Sequence, residues 1–206
     1  MIKLWGQPRS INVQKVLWAL DEVDVRFERI DAGGQFGRVR EAEYLAINPN
    51  GLVPTLQDGA AVVWESNAIV RYLFAKYGSA PTQPSDLAVR ARADAWTDWK
   101  SSTLWPAVRP LLVQLVRTPE EKRDRALVES SHRAATAALA ILDQELGRHA
   151  YVADEHFTWG DIAVGSVLQR WYNLPIARTP FPALEAWYRR IAERPGFKKW
   201  VDLPLA

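Results

Sequence analysis

Three segments of the chain put hydroxyl, carboxamide and carboxylate side chains where one backbone regime gives way to another. In Pro8-Arg9-Ser10-Ile11-Asn12, Ser10 and Asn12 stand at the start of a helical pattern. They lie beside backbone N–H groups that have no intrahelical acceptor and favour an anion. In Asn48-Pro49-Asn50-Gly51-Leu52-Val53-Pro54, a proline stands at the entrance to a strand. A cis Val53–Pro54 bond there, at an intrinsic cost of about 0.5–1 kcal/mol, lets the Val53 backbone groups turn outward and pair with a peptide as with another strand. In Trp64-Glu65-Ser66-Asn67, Ser66 opens a helix whose first N–H groups suit a carboxylate, and Glu65 suits an ammonium group. That pair complements the α-carboxylate and α-ammonium of a single amino acid. Each segment also has a plainer reading: Ser10, Asn12 and Ser66 as helix caps, and residues 48–54 as a loop before an edge strand.

What the sequence lacks narrows the chemistry. There is no cysteine among the 206 residues, so the chain has no disulfide, thiolate nucleophile or zinc–thiolate site of its own, and sulfur chemistry needs a thiol carried in by a ligand. His132, His149 and His156 do not have the spacing of a metal-binding helix, and no metal is expected. The 26 basic and 24 acidic residues are mixed along the chain, for a net charge of +2, which gives no support for a nucleic-acid partner. Apolar runs are too short for a membrane helix, and MIKLWGQPRS has no signal-peptide core. A soluble, cytoplasmic protein without a membrane partner is expected.

The elements that must hold these segments alternate over the first 77 residues. Ile2–Trp5 reads as a buried strand; Val13, Val16, Leu17 and Leu20 recur at helical spacing over residues 12–22. Val25–Ile30 reads as a second strand, Arg38–Ile47 as a short helix after the Gly33-Gly34 loop, and two strands flank the hairpin dipeptide Asp58-Gly59. Ser66–Lys76 completes the order β-α-β-α-β-β-α, a compact α/β layer. Pro81 and Pro84 mark a linker at residues 78–85, and everything beyond reads as helical. Pro106 and Pro110 are expected to end or kink the first of those helices. Thr118-Pro119 with Glu121 reads as the capped start of a long helix bearing Val128, Ala135, Leu139, Leu142 and Leu146. Phe157-Thr158-Trp159-Gly160-Asp161-Ile162 reads as a second capping box with a hydrophobic staple, a folding device rather than a site. Ten tryptophans, seven of them beyond residue 90, suit either core anchors or an aromatic wall for planar ligands.

In this order and on this layout, the asparagine-proline turn, the Val53–Pro54 step, the Glu65–Ser66 pair, the proline linker and the Thr158–Asp161 box resemble the cytosolic glutathione S-transferase family, of bacterial type and close to its serine classes. The resemblance covers essentially the whole chain. It implies a thioredoxin-like α/β N-terminal domain at residues 1–78 that binds glutathione, and an all-α C-terminal domain at residues 86–206 that lines the site of a hydrophobic co-substrate. It further implies a homodimer with glutathione as co-substrate and no bound cofactor. By position, Val53, next to Pro54, pairs with the cysteinyl backbone, Glu65 and Ser66 hold the γ-glutamyl end, and Gln35 reaches the glycyl end. Ser10 points at the sulfur, with Asn12 as its rival. Many relatives carry a lysine where this chain has Leu52, which leaves one charge contact to be found elsewhere. The implied reaction conjugates glutathione to small apolar electrophiles; a glutathione-dependent disulfide reductase and a non-catalytic binding module are the alternatives on the same fold.

Overall fold

The computed structural model describes residues 1–205, which form two compact units. One is Met1–Gln83 with Pro195–Val201; the other is Pro84–Arg194 with the residues from Asp202 onward. No described helix is long and apolar enough to cross a membrane.

In the first unit, strands β1 (Ile2–Trp5), β2 (Phe27–Ile30), β3 (Thr55–Asp58) and β4 (Ala61–Trp64) make one sheet in the order β2-β1-β3-β4. β1 and β2 are parallel because helix α1 (Ile11–Glu22) carries the chain back between them. β3 and β4 join antiparallel through Gly59, whose φ of +61° suits a tight hairpin. α1 buries Val13, Val16, Leu17 and Leu20, and α3 (Ser66–Tyr77) buries Ile69, Val70, Leu73 and Phe74. The two helices pack on each other, and α9 (Pro195–Trp200) adds Phe197 against Trp18. β2 starts later than the sequence suggests, because the Val25 N–H is committed to the Leu20 carbonyl at the end of α1 and Asp24 takes a φ of +51°. Likewise α2 spans only Ala42–Ile47, since positive φ at Gly37 and Arg38 excludes a helix there.

The register of the sheet has a direct consequence. Trp5 at the end of β1 faces Ile30 at the end of β2 and Thr55 at the start of β3, and Thr55 faces Trp64 at the end of β4. The segments carrying Ser10, Gln35, Val53 and Glu65 therefore all leave the sheet at the same end.

The second unit is helical: α4 (Leu87–Trp99), α5 (Trp105–Leu112), α6 (Arg125–Leu146), α7 (Trp159–Asn173) and α8 (Pro182–Ala192). α7 is buried from Trp159 to Trp171 and packs on α4, while α6 packs on α5 and α8. The prolines do not break the first stretch. Pro106 sits in the first turn of α5 and Pro110 inside it, and five-residue π-helical stretches at Lys100–Leu104 and Val113–Arg117 flank the helix. The Trp105 N–H reaches back to the Lys100 carbonyl, the wide turn that accommodates an interrupted hydrogen-bond ladder. α6 begins not at Thr118 but after Asp124, whose Oδ1 accepts from the Leu127 N–H at 2.9 Å. Thr118 and its neighbours are drawn into the previous helix instead: the Arg123 guanidinium donates to the Thr118 and Leu115 carbonyls at 3.1 and 3.0 Å. The α7 capping box forms as expected. Asp161 accepts from the N–H groups of Thr158 and Val152 at 2.8 and 3.0 Å and from the Trp187 indole at 2.8 Å. Trp18, Trp171 and Trp187 are among the largest fully buried side chains, so these tryptophans are core anchors.

Candidate active site

Ser10 is the N-cap of α1 by backbone position, yet its side chain makes no capping hydrogen bond. Its carbonyl accepts from Gln14 and its N–H donates to Gln7, while the hydroxyl has no partner among the described residues. The side chain of Asn12 is exposed, one residue into the same helix. A hydroxyl with donor and acceptor capacity unspent, beside the free N–H groups of a 12-residue helix, can donate to an anion.

Val53 gains its orientation from a ring of buried polar groups. The Tyr44 hydroxyl donates to the Leu52 carbonyl at 2.6 Å, and the Asn48 carboxamide donates to the same oxygen at 2.8 Å and to Thr55 Oγ1 at 3.0 Å. Tyr44 and Thr55 oxygens lie 2.8 Å apart. Since a carbonyl only accepts, the tyrosine proton goes to Leu52 and the threonine proton to the tyrosine, so every proton in the ring is placed. Burial raises the Tyr44 phenol above its usual pKa, against its hydrogen bonds with Thr55 and Asn48, so it stays protonated as the ring requires. The Leu52 C=O and the Val53 N–H belong to one rigid peptide plane. Fixing the oxygen thus fixes the direction of the Val53 N–H. The Val53–Pro54 bond is cis, and the main-chain N–H and C=O of Val53 make no hydrogen bond among the described residues. Tyr44 itself packs edge-on against Trp5, with Ala32, Val39, Ile47 and the Val53 side chain around them.

Beside Val53 sits the loop from Gly33 to Gly37. A Cβ added at Gly33 would come within 3.0 Å of the Val53 side chain, so only glycine allows this approach. The loop presents Gln35, exposed, in a 3-10 turn over Gly34–Phe36. Sequence reasoning missed a further group here. A Cβ at Gly51 would lie 2.9 Å from the Arg40 guanidinium, which places that cation against the Asn48–Pro54 turn. The guanidinium has no ion-pair partner among the described residues, and it stands close to where Leu52 leaves a charge missing. The signal was one of geometry: nothing in the spacing of Arg40 and Gly51 announces that the two turns meet.

At the other edge of the sheet, Glu65 occupies the N-cap of α3 with a φ of +68°, a conformation a non-glycine residue adopts at a cost of order 1–3 kcal/mol and most often at functional sites. Ser66 is the first helical residue rather than the cap, and it is buried. The Glu65 carboxylate is exposed and unpaired among the described residues. The helix start is held to α1 by Lys15, which donates to Asn67 at 2.6 Å. By strand order, Glu65 follows β4, Val53 precedes β3 and Ser10 comes after β1, while the chain after β2 folds back so that Gly33 approaches Val53 and Arg40 approaches Gly51.

The described residues also bring His149, Asp154 and Glu155 together, with ligand atoms within 4.8 Å of one another, a grouping the sequence spacing does not reveal. His149 faces Glu155 at 3.4 Å and Glu145 at 3.9 Å, polar contacts at the surface.

The glutathione S-transferase N-terminal domain family matches residues 1–75, and the C-terminal domain family of the same name matches residues 104–195. The chain is 43% identical to glutathione S-transferase GstB of Escherichia coli K12, with 100% of both chains covered. It is 34% identical to glutathione S-transferase 3 of Zea mays, over 99% of this chain and 95% of that one. Among solved structures, the theta class glutathione S-transferase of Xanthomonas axonopodis pv. citri, crystallised with glutathione bound, superposes with a TM-score of 0.93 at 43% identity, covering 100% of this chain and 99% of that one. Fold and sequence agree, and the chain belongs to the glutathione S-transferase family.

Proposed function

We propose that glutathione lies across the open end of the sheet and that Ser10 holds its sulfur as a thiolate for attack on small hydrophobic electrophiles. The observation that carries this reading is the unpaired main chain of Val53, aimed by its ring and flanked by unspent polar groups on both sides. The γ-glutamyl end lies at Glu65 and Ser66, the cysteinyl backbone on Val53 beside Pro54, and the glycyl carboxylate at Gln35 and Arg40. The glutathione-bound Xanthomonas relative supports the ligand. Residues 1–78 supply the glutathione site, and the helical residues 86–206 supply the apolar surface for the electrophile. Glutathione is kept reduced in the cytoplasm, which is where this chemistry belongs. Exposed Val62 and Trp64 on the edge strand β4, 43% and 40% accessible, support a second copy of the chain as partner.

The energetics need no general base. A thiol with a reference pKa of about 8.5 must move down about two units to be mostly ionised at neutral pH, roughly 2.7 kcal/mol. A hydrogen bond to a charged acceptor contributes about 1.5–3 kcal/mol, and the α1 terminus about 0.3–1 kcal/mol. The thiol proton leaves to solvent, the sulfur lone pair forms the S–C bond, and the electrophile's leaving group or π electrons take up the charge. Ser10→Ala raises the pKa of the bound thiol, read from thiolate absorbance, and lowers turnover at least about tenfold. A silent Ser10→Ala beside a crippling Asn12→Ala transfers the role to Asn12.

A further inference from the structure

We infer that Gln7 is a further glutathione-binding residue, whose carboxamide pairs with the peptide group between cysteine and glycine and makes the site prefer the tripeptide to γ-glutamylcysteine. This pairing rests on the placement of glutathione proposed above. Gln7 follows Trp5 by two residues, on the turn that carries Ser10. Main-chain bonds fix that turn: the Gly6 N–H donates to the Ile30 carbonyl at 2.9 Å, and the Ser10 N–H donates to the Gln7 carbonyl at 3.3 Å. The Arg29 guanidinium also donates to the Gly6 carbonyl at 3.1 Å.

The Gln7 side chain is half-buried, and its carboxamide makes no hydrogen bond among the described residues. Its position is nonetheless set. A Cβ added at Gly34 would lie 2.7 Å from Gln7 Oε1 and 2.8 Å from Gln7 Cδ, closer than a real side chain could come. The carboxamide therefore lies across the bare Cα of Gly34, an approach only glycine permits. The loop beneath is closed on itself, with the Gly33 N–H on the Gly37 carbonyl at 2.8 Å and the Phe36 N–H on the Gly33 carbonyl at 3.1 Å. Gly33, one Cα spacing of about 3.8 Å away, is the glycine that touches the Val53 side chain. One dipeptide thus meets Val53 at its first residue and Gln7 at its second, and Gln35 comes next. With the cysteinyl backbone on Val53 and the glycyl carboxylate at Gln35 and Arg40, the peptide group that joins them passes Gly34 and the carboxamide lying on it. A carboxamide matches that group, since it offers N–H donors to the carbonyl and an oxygen to the N–H. A half-buried amide without a partner forgoes hydrogen bonds that such a ligand restores.

Calorimetric titration of the parent protein and of Gln7→Met with three ligands tests the pairing. Methionine keeps the bulk over Gly34 and removes both polar atoms. The ligands are glutathione, its glycine amide, which keeps the joining peptide but lacks the carboxylate, and γ-glutamylcysteine, which lacks that peptide. The expected result is that Gln7→Met raises Kd about 3–10-fold for glutathione and for its amide, and changes Kd for γ-glutamylcysteine by less than about twofold. A difference that vanishes with the amide assigns the effect to the carboxylate end, through the loop that carries Gln35, and overturns the pairing. A difference that persists with γ-glutamylcysteine overturns it too, because a merely loosened site weakens every ligand. If Gln7→Met binds all three like the parent, the pairing falls and the proposed placement of glutathione stands. A parent protein that binds none of them brings down both.

Discussion

Tyr44→Phe removes one oxygen from a ring in which every proton has a place, and the consequences can be worked out atom by atom. The Leu52 carbonyl keeps the Asn48 carboxamide at 2.8 Å but loses its 2.6 Å bond from the phenol. Thr55, fully buried, loses the acceptor for its hydroxyl proton. One net hydrogen bond at about 1 kcal/mol and one stranded buried donor at about 1–3 kcal/mol give a destabilisation of roughly 2–4 kcal/mol, or about 4–16 °C in Tm for a chain of this size. The phenyl ring keeps its edge-on contact with Trp5, so the loss is polar and not one of packing. At the site, the Leu52–Val53 peptide plane has one anchor instead of two. KM for glutathione then rises about 3–10-fold, while kcat at saturating glutathione changes by less than about twofold, since Ser10 stands on another segment. Urea unfolding of Tyr44→Phe, Thr55→Val and the double variant, with KM and kcat for each, forms the assay. Because Thr55→Val removes the donor that Tyr44→Phe strands, the double variant costs about 1–2 kcal/mol less than the sum of the singles. Additive singles refute the ring. The full destabilisation with an unchanged KM refutes its link to the Val53 N–H.

The remaining expectations concern charge. Arg40→Gln raises KM for glutathione about 3–10-fold with little change in kcat, and the difference from the parent vanishes with a glutathione whose glycyl carboxylate is amidated; persistence of the difference excludes the carboxylate contact. Asp58 sits under Lys76, Tyr77 and Tyr72 at 2.6, 2.6 and 2.8 Å. Burial pushes its pKa up, but those hydrogen bonds outweigh it and hold the group at about 2. A folded value below the unfolded one of about 3.9 contributes stability above pH 4 that is lost as the pH falls from about 4 towards 2. The expected size is on the order of 1–2 kcal/mol because Lys76 is open to solvent, and Asp58→Asn flattens that part of the acid stability curve. Asp161→Ala strands the N–H groups of Val152 and Thr158 and the Trp187 indole, and costs at least about 3 kcal/mol in chemical unfolding.

Periodicity and caps made much of this fold legible. The strand–helix order of the first 77 residues, the Asp58-Gly59 hairpin and the α7 capping box are all local signals, and the chain follows them. Where local signals competed, the tertiary context decided. Thr118-Pro119-Glu120-Glu121 satisfies a capping pattern, yet Asp124 starts α6 because Arg123 is recruited to the carbonyls of the helix before it. Pro106 and Pro110 read as helix breakers, and π-helical turns on both sides absorb them. At the proposed site, Ser10, Val53, Glu65 and Ser66 could be picked out because each lies at a junction. Tyr44 could not, since a tyrosine on an amphipathic helix looks like any other core residue until Leu52 and Thr55 are seen around its hydroxyl. Arg40 was hidden for the same reason: its position is set by how two turns meet.

The junctions themselves show what separates a folding device from a binding site. Among the helices that start from a hydroxyl or carboxylate at or next to the cap, three make the comparison: α1 at Ser10, α3 at Glu65 and Ser66, and α7 at Thr158. From sequence the three are nearly equivalent, and all suit an anion. In the structure they differ in satisfaction. At α7, Asp161 is buried, which pushes its pKa up to about 6 against the hydrogen bonds from Val152, Thr158 and Trp187, and the anion that the helix start attracts is the chain's own. At α1 the Ser10 hydroxyl is unused, and at α3 the Glu65 carboxylate stands open at a backbone angle that favours glycine. A junction that consumes its own polar groups has none left for a ligand. The two that leave them unspent lie at the same end of one sheet, on either side of a main-chain edge with no partner, and that conjunction, rather than any single motif, carries the proposed site.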